Sequence, residues 1–309
     1  MKSVVIVGPT CTGKTSLAIK LGNDFNGEIV SCDSRQVYKY MDIGTGKTPL
    51  DTKAEFLKEK ERWFFGGISI YGYDLVSPDQ EFSVYDFVNK ATVHIKQIEA
   101  KNKLPFLVGG TGFYVDVLIG RSKVAGFSPN LQIRKDLEKL NANELFLRLQ
   151  KLAPQRAKTV DCKNPIRLIR AIEIALLEKE GVNKKKIELP KISPIIIGLT
   201  SSRATLYKRA DCWVDSVSKN GVVQETRQLL NMGFRNTRPL EGLIYNEIVN
   251  LLDGKATQEG AFQKIKFDMH DYIKRQLTWF TRNPEIIWYD TEDPLLYDKV
   301  KISVKSFLR

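Results

Sequence analysis

Seven residues into the chain stands GPTCTGKT, residues 8–15, and few octapeptides leave a fold so little freedom. It is preceded by the β-branched run SVVIV and followed by KTSLAIKLGNDF, whose apolar residues recur at helical spacing, so the order is strand, loop, helix. Gly8-x-x-x-x-Gly13-Lys14-Thr15 is a complete P-loop pattern. Its glycines let the backbone curl so that successive N–H groups turn inward on phosphate oxygens, and the following helix adds its positive end. Lys14 supplies a point charge, and the Thr15 hydroxyl is the expected ligand for Mg²⁺. The phosphate site predicted from this stretch is Gly8, Pro9, Thr10, Cys11, Thr12, Gly13, Lys14 and Thr15.

The alternation of strand and helix continues past this first unit. GEIVSCDS reads as a second strand with Asp33 at its C-terminal end, and the run from Phe82 to Lys103 as an amphipathic helix capped by Ser83. LPFLVGGTG is a buried strand entering a glycine turn and a further helix, FYVDVLIG. Strands alternating with helices predict an α/β fold: a P-loop parallel-sheet core with helices on both faces. From about Leu131 to Glu180 strand signals vanish, and PIIIGLT then returns as a buried strand. An all-helical insertion domain over residues 121–190 is therefore expected, interrupting a core of residues 1–120 and 191–309 that ends in helices and a short strand, EIIWYD.

The chain of 309 residues carries a net charge of +12, and residues 121–190 hold 16 Lys/Arg against 8 Asp/Glu. A surplus so local attracts a polyanion, although solvated helix faces give the same count. The four cysteines stand far apart and histidines number two, which argues for reduced thiols and against a zinc site. With no membrane-length apolar run and no export signal, a cytoplasmic protein is expected.

The P-loop alone leaves the phosphate unidentified. Nucleotide (ATP) binding is its commonest use, but DSRQVYKYMDIGTGK, residues 33–47, continues unlike an ATPase or a nucleoside kinase. Asp33, Ser34, Arg35 and Gln36 set four polar side chains beyond a strand's carboxyl end, where open α/β sheets hold ligands. Asp33 could equally cap a helix, and so could Thr111 in the Gly-Gly-Thr turn.

Together GPTCTGKT, DSRQVYKYMDIGTGK, LVGGTGFY, NPIRLIRAIEI and KRQLTWF resemble the tRNA dimethylallyltransferase (tRNA isopentenyltransferase) family, in order, from about residue 3 to 290. The resemblance implies transfer of a dimethylallyl group from dimethylallyl diphosphate to N6 of the adenine 3′ to the anticodon. The P-loop would then hold a diphosphate leaving group, neutralised by Lys14, by Mg²⁺ on Thr15 and by Arg209, with Arg203 as a second candidate. Asp33 occupies the position of the base that takes the N6 proton, and Thr10 a position near the diphosphate. The resemblance further implies tRNA contacts at Asp33, Ser34, Arg35, Gln36, Thr111, Arg134, Arg167, Arg170, Arg275 and Gln276, with the anticodon stem-loop gripped by the insertion. Trp279 reads as packed core. A monomer is expected from family precedent. A related class that prenylates free adenine nucleotides, an adenylate isopentenyltransferase, would need no such basic surface.

The sequence departs from the family pattern in three places. GLIYNEI puts Ile244 where a glycine is usual and Asn246 where a basic residue is. A histidine of the third-strand region is replaced within SIYGYDLV, and GTGKTP has one residue between Lys47 and Pro49 where the family has none.

Overall fold

The computed structural model describes residues 1–47 and 56–309, so the Thr48–Pro49 departure lies outside the described residues. The chain runs β1 (Lys2–Val7), α1 (Lys14–Asp24), β2 (Gly27–Ser31), β3 (Phe56–Glu59), β4 (Arg62–Phe65), β5 (Ile68–Tyr71), α2 (Val84–Ala100), β6 (Leu104–Gly109) and α3 (Gly112–Leu118). Four helices come next, α4 (Leu131–Leu137), α5 (Ala142–Leu152), α6 (Pro154–Ala157) and α7 (Pro165–Lys179). The chain then closes with β7 (Ser193–Thr200), α8 (Arg203–Lys219), α9 (Val222–Asn231), α10 (Leu243–Leu252), α11 (Gln258–Phe280), β8 (Ile287–Asp290) and α12 (Leu296–Leu308).

The strands form one sheet in the order β3-β4-β5-β2-β6-β1-β7-β8. From β5 to β8 every neighbouring pair is parallel. The β3–β4 and β4–β5 pairs are antiparallel, so the expected parallel sheet is a mixed one, extended at one edge by a meander. β3 is exposed along its length, which suits an edge strand and gives the sequence no buried alternation to read.

Strand alternation decides how the sheet is covered. Val4 and Ile6 of β1 pack with Leu17, Ala18 and Leu21 of α1 and with Val300 and Val304 of α12 on one face. The connection from β5 to β6 carries α2 across the opposite face, where it packs on β2 and β6. Its start is fixed by a capping box: Ser83 accepts from Asp86 N, and the Asp86 carboxylate accepts from Ser83 N at 2.9 Å. A second core joins α8, α9, α10 and α11 through Leu206, Val214, Val222, Ile248 and Ile273.

The fold divides into two compact units, residues Met1–Ser122 with Leu189–Arg309, and residues Lys123–Glu188. The smaller unit contains α4 to α7 around Leu137, Leu145, Leu149, Leu168 and Ile172. Among the described residues, all eight strands belong to the larger one.

Candidate active site

Parallel strands bring their carboxyl ends to one rim, and the loops after β1, β2 and β6 meet there. The first is the P-loop. Gly8 has φ +139° and lies so close to β7 that a Cβ would stand 2.3 Å from the Leu199 carbonyl oxygen, so no other residue fits. Gly13, left-handed at φ +75°, opens α1. Thr12 Oγ1 and Lys14 Nζ both donate to the Pro9 carbonyl, at 2.8 and 2.6 Å, which draws the loop tight around Lys14. Burial lowers the Lys14 ammonium to about 8, against the pull of Cys11 and of the Asp33 carboxylate. The same burial pushes the Cys11 thiol up, leaving it a neutral lining group.

Asp33 stands two residues beyond β2. Its Oδ1 accepts the Arg35 N–H at 2.8 Å, an Asx turn rather than a helix cap. Burial raises its carboxyl above the ordinary carboxylate range, and the hydrogen bonds from Arg35 and Gln36 and the charges of Lys14 and Arg35 only partly offset this. A carboxylate more basic than usual beside a phosphate loop is equipped to take a proton.

Thr111 holds that turn in place. It stands at the head of α3 without capping it. Its Oγ1 instead accepts Ser34 N–H at 3.0 Å and approaches Ser34 Oγ at 3.3 Å. Arg35 lies across Gly242 and donates to the Pro239 carbonyl at 3.2 Å. Gln36 and Gln276, expected at the tRNA, have their amides bonded within the protein. Gln36 accepts from Ser31 Oγ and donates to the Thr45 and Gly46 carbonyls, and Gln276, 5% exposed, bonds to Thr10 and Gly110. With their amides engaged inside the protein, both position loops. Arg275 is exposed on the same helix, over the Tyr272 ring. Trp279 is half-buried and donates to Asp116 at 2.9 Å, in keeping with a packing role.

These loops open on a cleft of about 970 Å³ that Lys14, Thr15, Asp33, Arg35 and Arg209 all line. Arg209 projects from α8 and donates to Thr291 Oγ1 at 2.6 Å, just past β8. Arg203, in the first turn of α8, is exposed and does not line the cleft, which leaves Arg209 as the arginine of the site.

Sequence reasoning missed three residues here. Lys208 lines the cleft next to Arg209. Tyr272 lines it four residues before Gln276, its hydroxyl bonded to Thr111 and its ionisation suppressed by burial. Glu225 is buried in α9 and accepts the backbone N–H groups of Asp42, Ile43 and Gly44 and the Tyr245 hydroxyl. It thereby fixes residues 42–46, three of which, Gly44, Thr45 and Gly46, line the cleft.

In the smaller unit the three predicted arginines part company. Glu173 is fully buried and takes two hydrogen bonds from Arg134, both at 3.0 Å, while Arg170 pairs with the same carboxylate and donates to the Phe127 carbonyl at 2.6 Å. Burial alone would raise Glu173, yet these partners and Asn130 N–H hold it below the ordinary range. Arg134 and Arg170 are thus committed to an internal charge. Arg167, 58% exposed and 3.6 Å from Asp161, is the one of the three that faces solvent.

Comparisons with known proteins place the whole chain in one family. The IPP transferase family model matches residues 36–283, and the Isopentenyl transferase model matches residues 1–70. The tRNA dimethylallyltransferase of Clostridioides difficile is 37% identical over 99% of this chain and 97% of its own length, and that of Acetivibrio thermocellus is 37% identical over 99% and 96%. Among solved structures, the tRNA isopentenylpyrophosphate transferase of Bacillus halodurans superposes with a TM-score of 0.70 at 33% identity, covering 99% of this chain and 95% of that one. A eukaryotic dimethylallyltransferase acting on tRNA superposes at 0.75 and 26% identity, covering 99% and 77%. A P-loop, a raised carboxylate after β2 and a cleft arginine on α8, carried by a sequence alike along its whole length, make this chain a member of the IPP transferase family.

Proposed function

We propose that the protein transfers a dimethylallyl group from dimethylallyl diphosphate to N6 of the adenine 3′-adjacent to the anticodon in tRNA, acting as a cytoplasmic monomer. The observation that carries this reading is that a phosphate cradle and a carboxylate of raised proton affinity line one cleft. A nucleotide hydrolase can use both as well, and the likeness to tRNA dimethylallyltransferases along the chain favours prenylation of an amine.

The diphosphate would lie in the P-loop, its charge met by Lys14, the loop amides and Arg209. Among the described residues no group of three or more His, Cys, Asp or Glu could hold a metal. Mg²⁺ takes few protein ligands and fills its shell with phosphate and water. Thr15 would hold it, and when bound it adds charge opposite the leaving diphosphate. As the donor's C1–O bond breaks, its electron pair departs on the diphosphate. The N6 lone pair forms the new C1–N6 bond, and the N6 proton passes to Asp33. An aromatic amine needs that help because its lone pair is delocalised. The target base would be extruded from its stack to enter the cleft, with Thr111, Ser34 and Arg35 beside it.

Recognition of tRNA would add the insertion, with Arg167 and the Lys184–Lys186 run facing the anticodon arm and Arg275 contributing from α11. Among the described residues no helix is long and apolar enough to cross a membrane. Incubation with Mg²⁺, dimethylallyl diphosphate and unmodified tRNA, then digestion and mass spectrometry, tests the reading. N6-prenyladenosine beside the anticodon is expected. Prenylation of free AMP but not of tRNA would overturn it in favour of an adenylate isopentenyltransferase, and ATP hydrolysis without prenylation would favour an ATPase.

A further inference from the structure

The reaction needs the diphosphate cradle and Asp33 held at a fixed spacing, yet they belong to loops after different strands. β6 lies between β2 and β1, so the Gly109-Gly110-Thr111 turn stands between the two loops. Toward Asp33 that turn is tied by Thr111, through its backbone and its side chain. Thr111 N–H donates to the Cys32 carbonyl at 3.3 Å, and Thr111 Oγ1 takes Ser34 N–H. Toward the P-loop the link comes from α11. Gln276 Oε1 accepts Thr10 N–H at 2.9 Å while its Nε2 donates to the Gly110 carbonyl at 3.0 Å. A Cβ on Gly110 would stand 2.3 Å from that Nε2, so the glycine lets the amide in.

The neighbours on α11 secure this bridge. Tyr272, Gln276 and Trp279 are spaced four and three apart and therefore share one helix face. Tyr272 bonds to Thr111, and Trp279 packs on Gly112 and donates to Asp116. The three side chains stitch α11 to the turn on both sides of the amide.

We infer that Gln276 is a positioning residue: one side-chain amide sets the spacing between the donor cradle and the Asp33 turn, and so acts on turnover more than on binding. The inference rests on the proposed prenyl transfer for its kinetic consequence and on geometry alone for the link itself.

Two variants and two readouts separate these layers. Gln276→Leu removes both hydrogen bonds without adding charge. It should lower kcat about 100-fold, the scale of a misplacement of about 1 Å, with KM for dimethylallyl diphosphate changed only a few-fold. Gln276→Glu keeps an acceptor for Thr10 but loses the donor to Gly110 until the carboxyl is protonated. A buried carboxyl protonates above its usual range. The kcat of this variant relative to wild type should therefore recover at least tenfold as pH falls from about 8.5 to about 6.5, while Gln276→Leu shows no recovery. If charge repulsion were the whole defect, recovery would appear in KM, and that outcome would overturn the inference. So would wild-type kcat in Gln276→Leu.

Hydrogen exchange of the P-loop peptide needs no substrate and isolates the geometry from the reaction. Exchange at Thr10 should be at least tenfold faster in Gln276→Leu, with the thermal midpoint of the rest of the molecule little changed. Unchanged exchange would overturn the link even in an active enzyme. Faster exchange in a protein that prenylates nothing would uphold the link and remove the proposed reaction.

Discussion

Raising the pH should disarm the P-loop ahead of other changes at the site. Burial brings the Lys14 ammonium down to about 8, so its charge is lost in mildly alkaline solution. The profile of kcat/KM reports the free enzyme. The protonated fraction of Lys14 falls from about nine-tenths at pH 7 to about one-tenth at pH 9, so kcat/KM for dimethylallyl diphosphate should fall about tenfold over that interval. The donor's own last ionisation, near pH ~6, is complete before this limb begins. Bound diphosphate pulls the lysine back up, so kcat at saturating donor should bend at a higher pH than kcat/KM does. Initial rates at saturating tRNA, with donor varied from pH 6 to 10, would show both. Lys14→Arg keeps its charge throughout and should run slower but flat across the same interval. A wild-type kcat/KM that stays level to pH 10, or an identical alkaline limb in Lys14→Arg, would refute the reasoning.

Asp33→Asn keeps size and hydrogen bonding but loses proton affinity. It should lower kcat by roughly 10²–10⁴ while both substrates still bind, and should erase the acid limb that appears as pH falls through the raised Asp33 value; turnover within a few-fold of wild type would make Asp33 a turn-former only. Glu225→Gln sets an amide donor against groups that themselves donate, and should cost about 3 kcal/mol in a denaturant titration. Arg167→Glu should weaken tRNA binding and flatten its salt dependence by about one unit of slope in filter binding, with donor affinity unchanged. Arg170→Glu should behave differently: it presses a carboxylate against buried Glu173 and should cost about 3 kcal/mol of stability, so the two arginines need to be reversed one at a time.

The legible parts of this molecule are those whose cause lies within a few residues. Gly8 and Gly13 announce the P-loop because the loop's curvature is local, and Ser83 announces α2 because its partner, Asp86, is three positions away. Asp33 is readable from its place after a strand. Gln276 stands out in the sequence but its positioning contacts do not: its partners Thr10 and Gly110 lie 266 and 166 residues away, and no spacing rule reaches that far. Glu225 and Glu173 look like ordinary solvated acids on charged helices until the fold buries them among donors. The antiparallel β3–β4 edge escapes because β3 buries nothing that would impose an alternation. The GLIYNEI departure also resolves in three dimensions. Ile244 is buried in the α8–α11 core, the close approach to Arg35 is made two residues earlier at Gly242, and Tyr245 still reaches Glu225.

The position of β1 has a consequence for synthesis. Its two neighbours are β6, which ends at Gly109, and β7, which begins at Ser193 with the whole smaller unit between them. A ribosome adding about 5–20 residues per second needs roughly 4–17 s to cross that gap. During that time the nascent sheet ends in a bare strand of four consecutive Val and Ile residues, Val4 to Val7, with one whole side of its backbone unpaired. A growing chain in that state is an invitation to other chains on the same message. Faster closure of the gap, by excising residues 123–188 with a short linker, should raise the soluble yield of the catalytic half.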